Sequence, residues 1–234
     1  MLLIQKTFPP QNLIDFNTPR RTISTNPTYL ELGANTVLFQ SVKRFLENEQ
    51  KGLCCYCMQK ITANNCNVEH FLPQNIFPEY QTDYYNLYLA CRWSHGKAKP
   101  AQHCDIHKGD ALIAKILNYR LATGETCQDL FQYAEIDGSI LPNHPKHKNI
   151  NDFISDFINL SAIQREVLSA IETLNLNAVE LKEARLKFIG NVKPQIASAT
   201  QTELNRMKND YETSHNKKFA GVALYFINEK LSRL

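Results

Sequence analysis

Glycine and proline are sparse in this chain, 8 and 10 of 234 residues. That excludes a collagen-like repeat and a low-complexity linker protein. Long apolar runs are absent as well. The best one, residues 220–227, falls far short of the ~18–20 residues that a membrane helix needs. The first ten residues, MLLIQKTFPP, hold one lysine and no apolar core of about 7–15 residues, so no secretory signal is expected. Charge is nearly balanced at +3, with 26 Lys and Arg against 23 Asp and Glu, which is weak evidence for a polyanion partner by itself. These absences predict a soluble, cytoplasmic protein with no membrane association, folded as one large or two small domains.

The seven cysteines are too few for a disulfide scaffold, and their number is odd. Their placement is more informative. Cys54, Cys55, Cys57, Cys66, Cys91 and Cys104 fall within about fifty residues, together with His70, His95, His103 and His107. In a reducing compartment such clustering favours a metal site over disulfides.

Around this cluster the chain divides into three parts. The first thirty-odd residues read as an irregular arm, because Pro9, Pro10, Pro19 and Pro27 interrupt any period. The segment 35–50 puts Val37, Leu38, Val42, Phe45 and Leu46 on one helical face, with Gly52 as a stop. Residues 54–109 show no sustained period. A helix is predicted from Asp110 (ALIAKILNYRL), followed by a turn at Gly124 and a loop from Asp137-Gly138 through Pro142 and Pro145. Over 152–174, Phe153, Phe157, Ile158, Leu160, Ile163, Val167, Leu168, Ile171 and Leu174 recur at helical spacing. Helical patterns continue over 177–189, 202–211 and 218–231, which predicts a bundle.

Cys54 and Cys57 have the spacing of a metal-gripping knuckle, and Cys91 with Cys104 offers a second pair. Four thiolates make a closed tetrahedral Zn²⁺ site that fixes loops lacking a core of their own. Cys55 and Cys66 are candidates for substitution in that set, and His95 and His103, in the stretch between Cys91 and Cys104, are alternative ligands. Between the pairs lie Glu69-His70, then Asn86 opening an alternating apolar run, then Cys104-Asp105-Ile106-His107-Lys108-Gly109.

In that order these residues resemble the zinc-stapled HNH (ββα-metal) endonucleases. The patterns C-x-Y-C, E-H-F-x-P, D-x-x-N-L-x-L-x-C and K-G look closest to the PtuB-type nucleases of Septu and retron antiviral systems. The resemblance covers roughly 52–110 and departs from the family's second CxxC, since twelve residues separate Cys91 from Cys104. It implies metal-dependent hydrolysis of phosphodiester bonds in DNA or RNA. His70 would be the general base, oriented by a backbone carbonyl in the loop that Asn86 ties down. Glu69 and Asp105 would hold catalytic Mg²⁺ or Mn²⁺, with His107 as rival to Asp105. Lys108 would contact phosphate. It further implies restraint by a PtuA-type ATPase and, in retron versions, association with a reverse transcriptase and its msDNA.

Charge fits a nucleic-acid substrate. Arg92, Lys97, Lys99, Lys108, Lys115 and Arg120 outnumber Asp105 and Asp110 between Cys91 and Arg120, a local balance of +4. Tyr84, Tyr85, Tyr88 and Trp93 offer stacking faces. The expected architecture is α+β, mostly α, with an N-terminal arm and helix (1–51), an HNH unit (52–120) and a helical bundle that docks partners (121–234). The alternatives are a non-catalytic zinc-stabilised nucleic-acid-binding or adaptor module, and a redox protein using Cys54 and Cys57.

Overall fold

The fold is taken from a computed structural model, which describes residues 1–22, 27–113, 116 and 124–234. Most of the helix expected from Asp110 lies outside the described residues, and 111–113 carry no helix. Among the described residues the protein is α+β, with about half of them helical and two small antiparallel sheets.

Helix α1 (Gln11–Thr22) occupies the segment whose prolines suggested an irregular arm. Pro9 and Pro10 lie just before it, where a missing N–H costs nothing, and the Pro10 carbonyl accepts from Leu13 and Ile14. Helix α2 (Tyr29–Ala34) starts from a capping box of Thr28 and Glu31, and α3 (Thr36–Glu49) from an Asn35 cap. The buried face of α3 is Leu38, Val42, Lys43 and Leu46, whereas Val37 is exposed.

Strands β1 (Cys66–His70) and β2 (Leu87–Cys91) pair antiparallel, with Cys66 opposite Cys91 and His70 opposite Leu87. The short α4 (Asp105–Lys108) completes this unit. The loop expected at Asp137-Gly138 is the turn of a second hairpin, β3 (Phe131–Tyr133) with β4 (Ile140–Pro142). An Asp-Gly pair between apolar runs is a hairpin signal.

The helical pattern over 152–174 is broken in two. Helix α5 (Ile150–Ser155) ends before a 3₁₀ turn at Phe157–Asn159, and α6 (Ala162–Thr173) starts from a Ser161–Gln164 capping box. Consequently Phe157 and Ile158 are exposed at 47% and 84% instead of joining the core. Helices α7 (Val179–Ser198), α8 (Gln201–Thr213) and α9 (Ala220–Leu231) pack together as the expected bundle.

The largest buried cluster runs without a break from Val42 and Leu46 through Tyr56, Leu87 and Leu89 to Ile189, Val222 and Ile227. The Cys-rich unit and the bundle therefore share one apolar core. Backbone bonds reinforce that union: Phe219 N–H donates to Met58 O (3.0 Å), Asn216 N–H to Lys51 O (2.8 Å) and Cys104 N–H to Leu174 O (2.8 Å). Among the described residues no helix is long and apolar enough to cross a membrane.

Candidate metal centre

The knuckle forms because Gly52 (φ +69°) and Met58 (φ +59°) turn the backbone through the left-handed region on either side of Cys54–Cys57. Cys54 N–H donates to Gln59 O (2.9 Å), and Cys55 N–H donates to Leu89 O (3.0 Å), which docks the knuckle on β2. Cys91 ends that strand, and Cys104 (φ +61°) immediately precedes α4.

These elements bring the sulfurs of Cys54, Cys57, Cys91 and Cys104 within 4.8 Å of one another, all buried. Cys57–Cys91 measures 3.6 Å, and Cys54–Cys104 and Cys91–Cys104 each measure 3.9 Å. No pair is a disulfide. A tetrahedron with Zn–S bonds of about 2.3 Å has edges of about 3.8 Å. The four cysteines thus fit a metal ion such as zinc. Burial pushes the Cys54 thiol up, but hydrogen bonds from Cys104, Cys55, Cys57 and Cys91 outweigh it and hold Cys54 well below the usual thiol range.

His103 and His95 take different places. His103 Nδ1 lies 3.3 Å from Cys104 Sγ and 4.0 Å from Cys91 Sγ, the position of a hydrogen-bond donor to the sulfurs. His95 turns instead to Asn67 on β1, with Nε2 2.9 Å from Asn67 Nδ2. Cys55 and Cys66 are buried outside the four-sulfur group.

Beside the sulfurs, the end of β1 and the start of α4 assemble a second cluster. Glu69 is buried and accepts from Tyr56 Oη at 2.7 Å and from Lys108 Nζ at 2.7 Å. Burial and then the adjoining Asp105 carboxylate push its carboxyl up to about 8, against the pull of Lys108. Asp105 Oδ2 accepts from Asn67 Nδ2 at 2.9 Å.

His70 Nε2 lies 2.9 Å from the Gln81 carbonyl. A carbonyl only accepts, so the neutral ring carries its proton on Nε2 and keeps a lone pair on Nδ1. Burial lowers the pKa of His70 below the usual imidazole value, opposed by that hydrogen bond. The edge of the His70 ring meets Tyr29, 4.6 Å between centroids. Asn86 clamps the intervening loop: its Oδ1 accepts from Leu72 N–H (2.7 Å), and its Nδ2 donates to Leu72 O (3.0 Å) and Tyr80 O (3.2 Å).

The structure therefore brings Glu69, His70, Asn86, Asp105 and Lys108 together, though not all in the expected roles. The Lys108 side chain is 1% exposed, and its ammonium donates to Glu69 and to His70 O (2.9 Å), which leaves it out of a phosphate's reach. His107 turns away from Glu69, its Nδ1 2.9 Å from the Thr173 carbonyl. Arg92 and Lys99 are exposed, while Lys97 pairs with Glu180 on α7. Lys115 lies outside the described residues.

Two contributors went unnoticed in the sequence, Tyr29 and Asn67, and Tyr56 entered only as the tyrosine of C-x-Y-C, with no role at the site. Of the two missed, Asn67 left a trace, since period-two alternation puts it on the same strand face as Glu69. No protein-family model matches this chain, and no curated protein is detectably similar to it.

Proposed function

We propose that this protein is a metal-dependent HNH-type endonuclease acting on DNA or RNA, with zinc held by Cys54, Cys57, Cys91 and Cys104. The supporting observation is the meeting of the Glu69 and Asp105 carboxylates beside His70, at the end of a hairpin fixed by the cysteines. Two adjoining carboxylates repel when ionised, and a hard divalent cation such as Mg²⁺ or Mn²⁺ relieves that repulsion. Glu69 and Asp105 would hold it, and it would supply charge stabilisation at the scissile phosphate.

The chain's own residues supply the rest. His70 Nδ1 accepts the proton of the attacking water while Nε2 stays on Gln81 O. Asn86 keeps that carbonyl in place by bracing the loop at Leu72 and Tyr80. Lys108 fixes the Glu69 carboxyl and the backbone of His70 as a positioning residue. The role in antiviral defence, the PtuA-type ATPase and the retron element rest on the sequence resemblance alone.

A non-catalytic zinc-stabilised nucleic-acid-binding or adaptor module is the second reading. The buried Glu69–Lys108 contact favours it, because such a pair also serves purely to hold α4 on β1. The deciding experiment is His70→Ala assayed on single- and double-stranded DNA and on RNA with Mn²⁺ or Mg²⁺. The nuclease reading expects cleavage by the parent, and a variant that retains zinc but has lost it. Equal activity in the two proteins, or none in the parent, sinks it.

A further inference from the structure

The stretch 92–103, which separates Cys91 from Cys104, is a fixed loop. Ser94 Oγ donates to His103 O (3.2 Å) and accepts from His103 N–H (2.9 Å), with both residues buried. Gln102 Nε2 donates to Lys97 O (2.9 Å), and Asn175 Nδ2 from the bundle side donates to Gln102 O (2.7 Å). So held, the loop delivers His95 to Asn67, and Asn67 to Asp105.

The chemistry of this chain of contacts is constrained. An ionised carboxylate only accepts hydrogen bonds, so the amino group of Asn67 faces Asp105. The same nitrogen is 2.9 Å from His95 Nε2, which must therefore accept with its lone pair. The neutral ring then carries its proton on Nδ1 and has no lone pair left for a cation. One amide thus orients the Asp105 carboxylate and sets the His95 tautomer.

We infer that His95 is a further substrate-contacting residue of this centre, its Nδ1–H donating to a phosphate oxygen of the bound strand. The inference rests on the nuclease reading. On the same loop Arg92 and Lys99 are exposed and supply attraction to phosphates, and Trp93, 58% exposed, supplies a stacking face. Asn67 acts as a positioning residue between the loop and Asp105.

Two isosteres separate the ring nitrogens. His95→Gln keeps an acceptor near Nε2 and loses the Nδ1 donor, whereas His95→Asn keeps a donor near Nδ1 and loses the Nε2 contact. Both are made in the zinc-loaded full chain carrying His70→Ala, which prevents cleavage. Binding of a short fluorescein-labelled single strand is read by anisotropy in Mn²⁺, and Mn²⁺ affinity without nucleic acid by electron paramagnetic resonance.

His95→Gln should weaken strand binding about tenfold, the loss of one hydrogen bond to a charged group, and leave Mn²⁺ affinity unchanged. His95→Asn should weaken it by less than about threefold. Parental strand binding by His95→Gln overturns the inference, as does equal weakening by both variants together with loss of Mn²⁺ affinity. If the protein with His70 intact cleaves neither DNA nor RNA, the nuclease reading itself fails. If it cleaves and His95→Gln binds normally, only the His95 assignment fails.

Discussion

Replacing Cys104 by serine, or stripping the metal with a chelator, tests the centre on which the rest depends. Cys104 closes the four-sulfur group, and the next residue is Asp105 at the start of α4. Opening the group therefore frees the element that carries Asp105 and Lys108. Structural zinc binds with about 10–16 kcal/mol in small metallo-domains, as much as the whole stability of a typical domain, about 5–15 kcal/mol. At free zinc a thousandfold above Kd, mass action alone contributes about 4.1 kcal/mol. For a chain of this size, at about 2–4 °C per kcal/mol, chelation should lower Tm by ~8–16 °C.

The assays are elemental analysis for zinc, thermal unfolding with and without chelator, and hydrogen exchange. One zinc per chain is expected in the parent, and less in Cys104→Ser. Exchange should rise first at 54–60 and 104–108, before α7 and α9. Cys127→Ser is the control, because Cys127 is buried outside the four-sulfur group. Full zinc in Cys104→Ser, or a Tm indifferent to chelation, would refute the reasoning.

If His70 is the general base of the proposed nuclease, the pH–rate profile should show activity rising through a limb below 6.5 and level near neutrality, since burial lowers the pKa of His70 and only the neutral ring could accept the proton. Burial lowers the pKa of His103 likewise, so the unfolded chain binds more protons just below 6.5. Stability should therefore fall as pH drops through that window, and a flat acid limb in urea titrations would contradict this. Asn86→Ala removes three hydrogen bonds that clamp the loop carrying Gln81, a loss of about 3 kcal/mol at about 1 kcal/mol each. Cleavage should be lost while zinc stays bound, and unchanged activity would show that the clamp does not matter. Gly138→Ala puts a methyl group 2.2 Å from Lys182 O at a φ of +71°, and should cost about 3 kcal/mol or more by strain and overlap. A melting temperature like the parent's would contradict that geometry.

Wherever the controlling physics is local, the sequence reading and the structure meet. The Cys54–Cys57 spacing announces a knuckle because two residues between thiols suit one turn. Helix α3 is announced by the helical spacing of Leu38, Val42 and Leu46, although Val37 and Phe45 of the same pattern are exposed. The patterns behind α7, α8 and α9 follow from helical periodicity over long stretches. Local rules also mislead: α1 spans Pro19, and the apolar pattern through Phe157 and Ile158 ignores the Ser161 capping box that divides it. The β3–β4 hairpin is only three residues a side, too short for alternation to outvote a loop.

By itself, the sequence determined which chemistry-bearing groups exist and their order: paired thiols, then Glu69-His70, Asn86 and Asp105. Tertiary structure alone decided what each of them faces. Pairing of β1 with β2 and docking of α4 sent the Lys108 ammonium into Glu69, turned His107 to Thr173 O, set Tyr29 against His70 and brought His95 to Asn67. Such contacts join residues tens of positions apart. Their geometry depends on how the shared core buries several elements at once, and no short window of sequence contains that information.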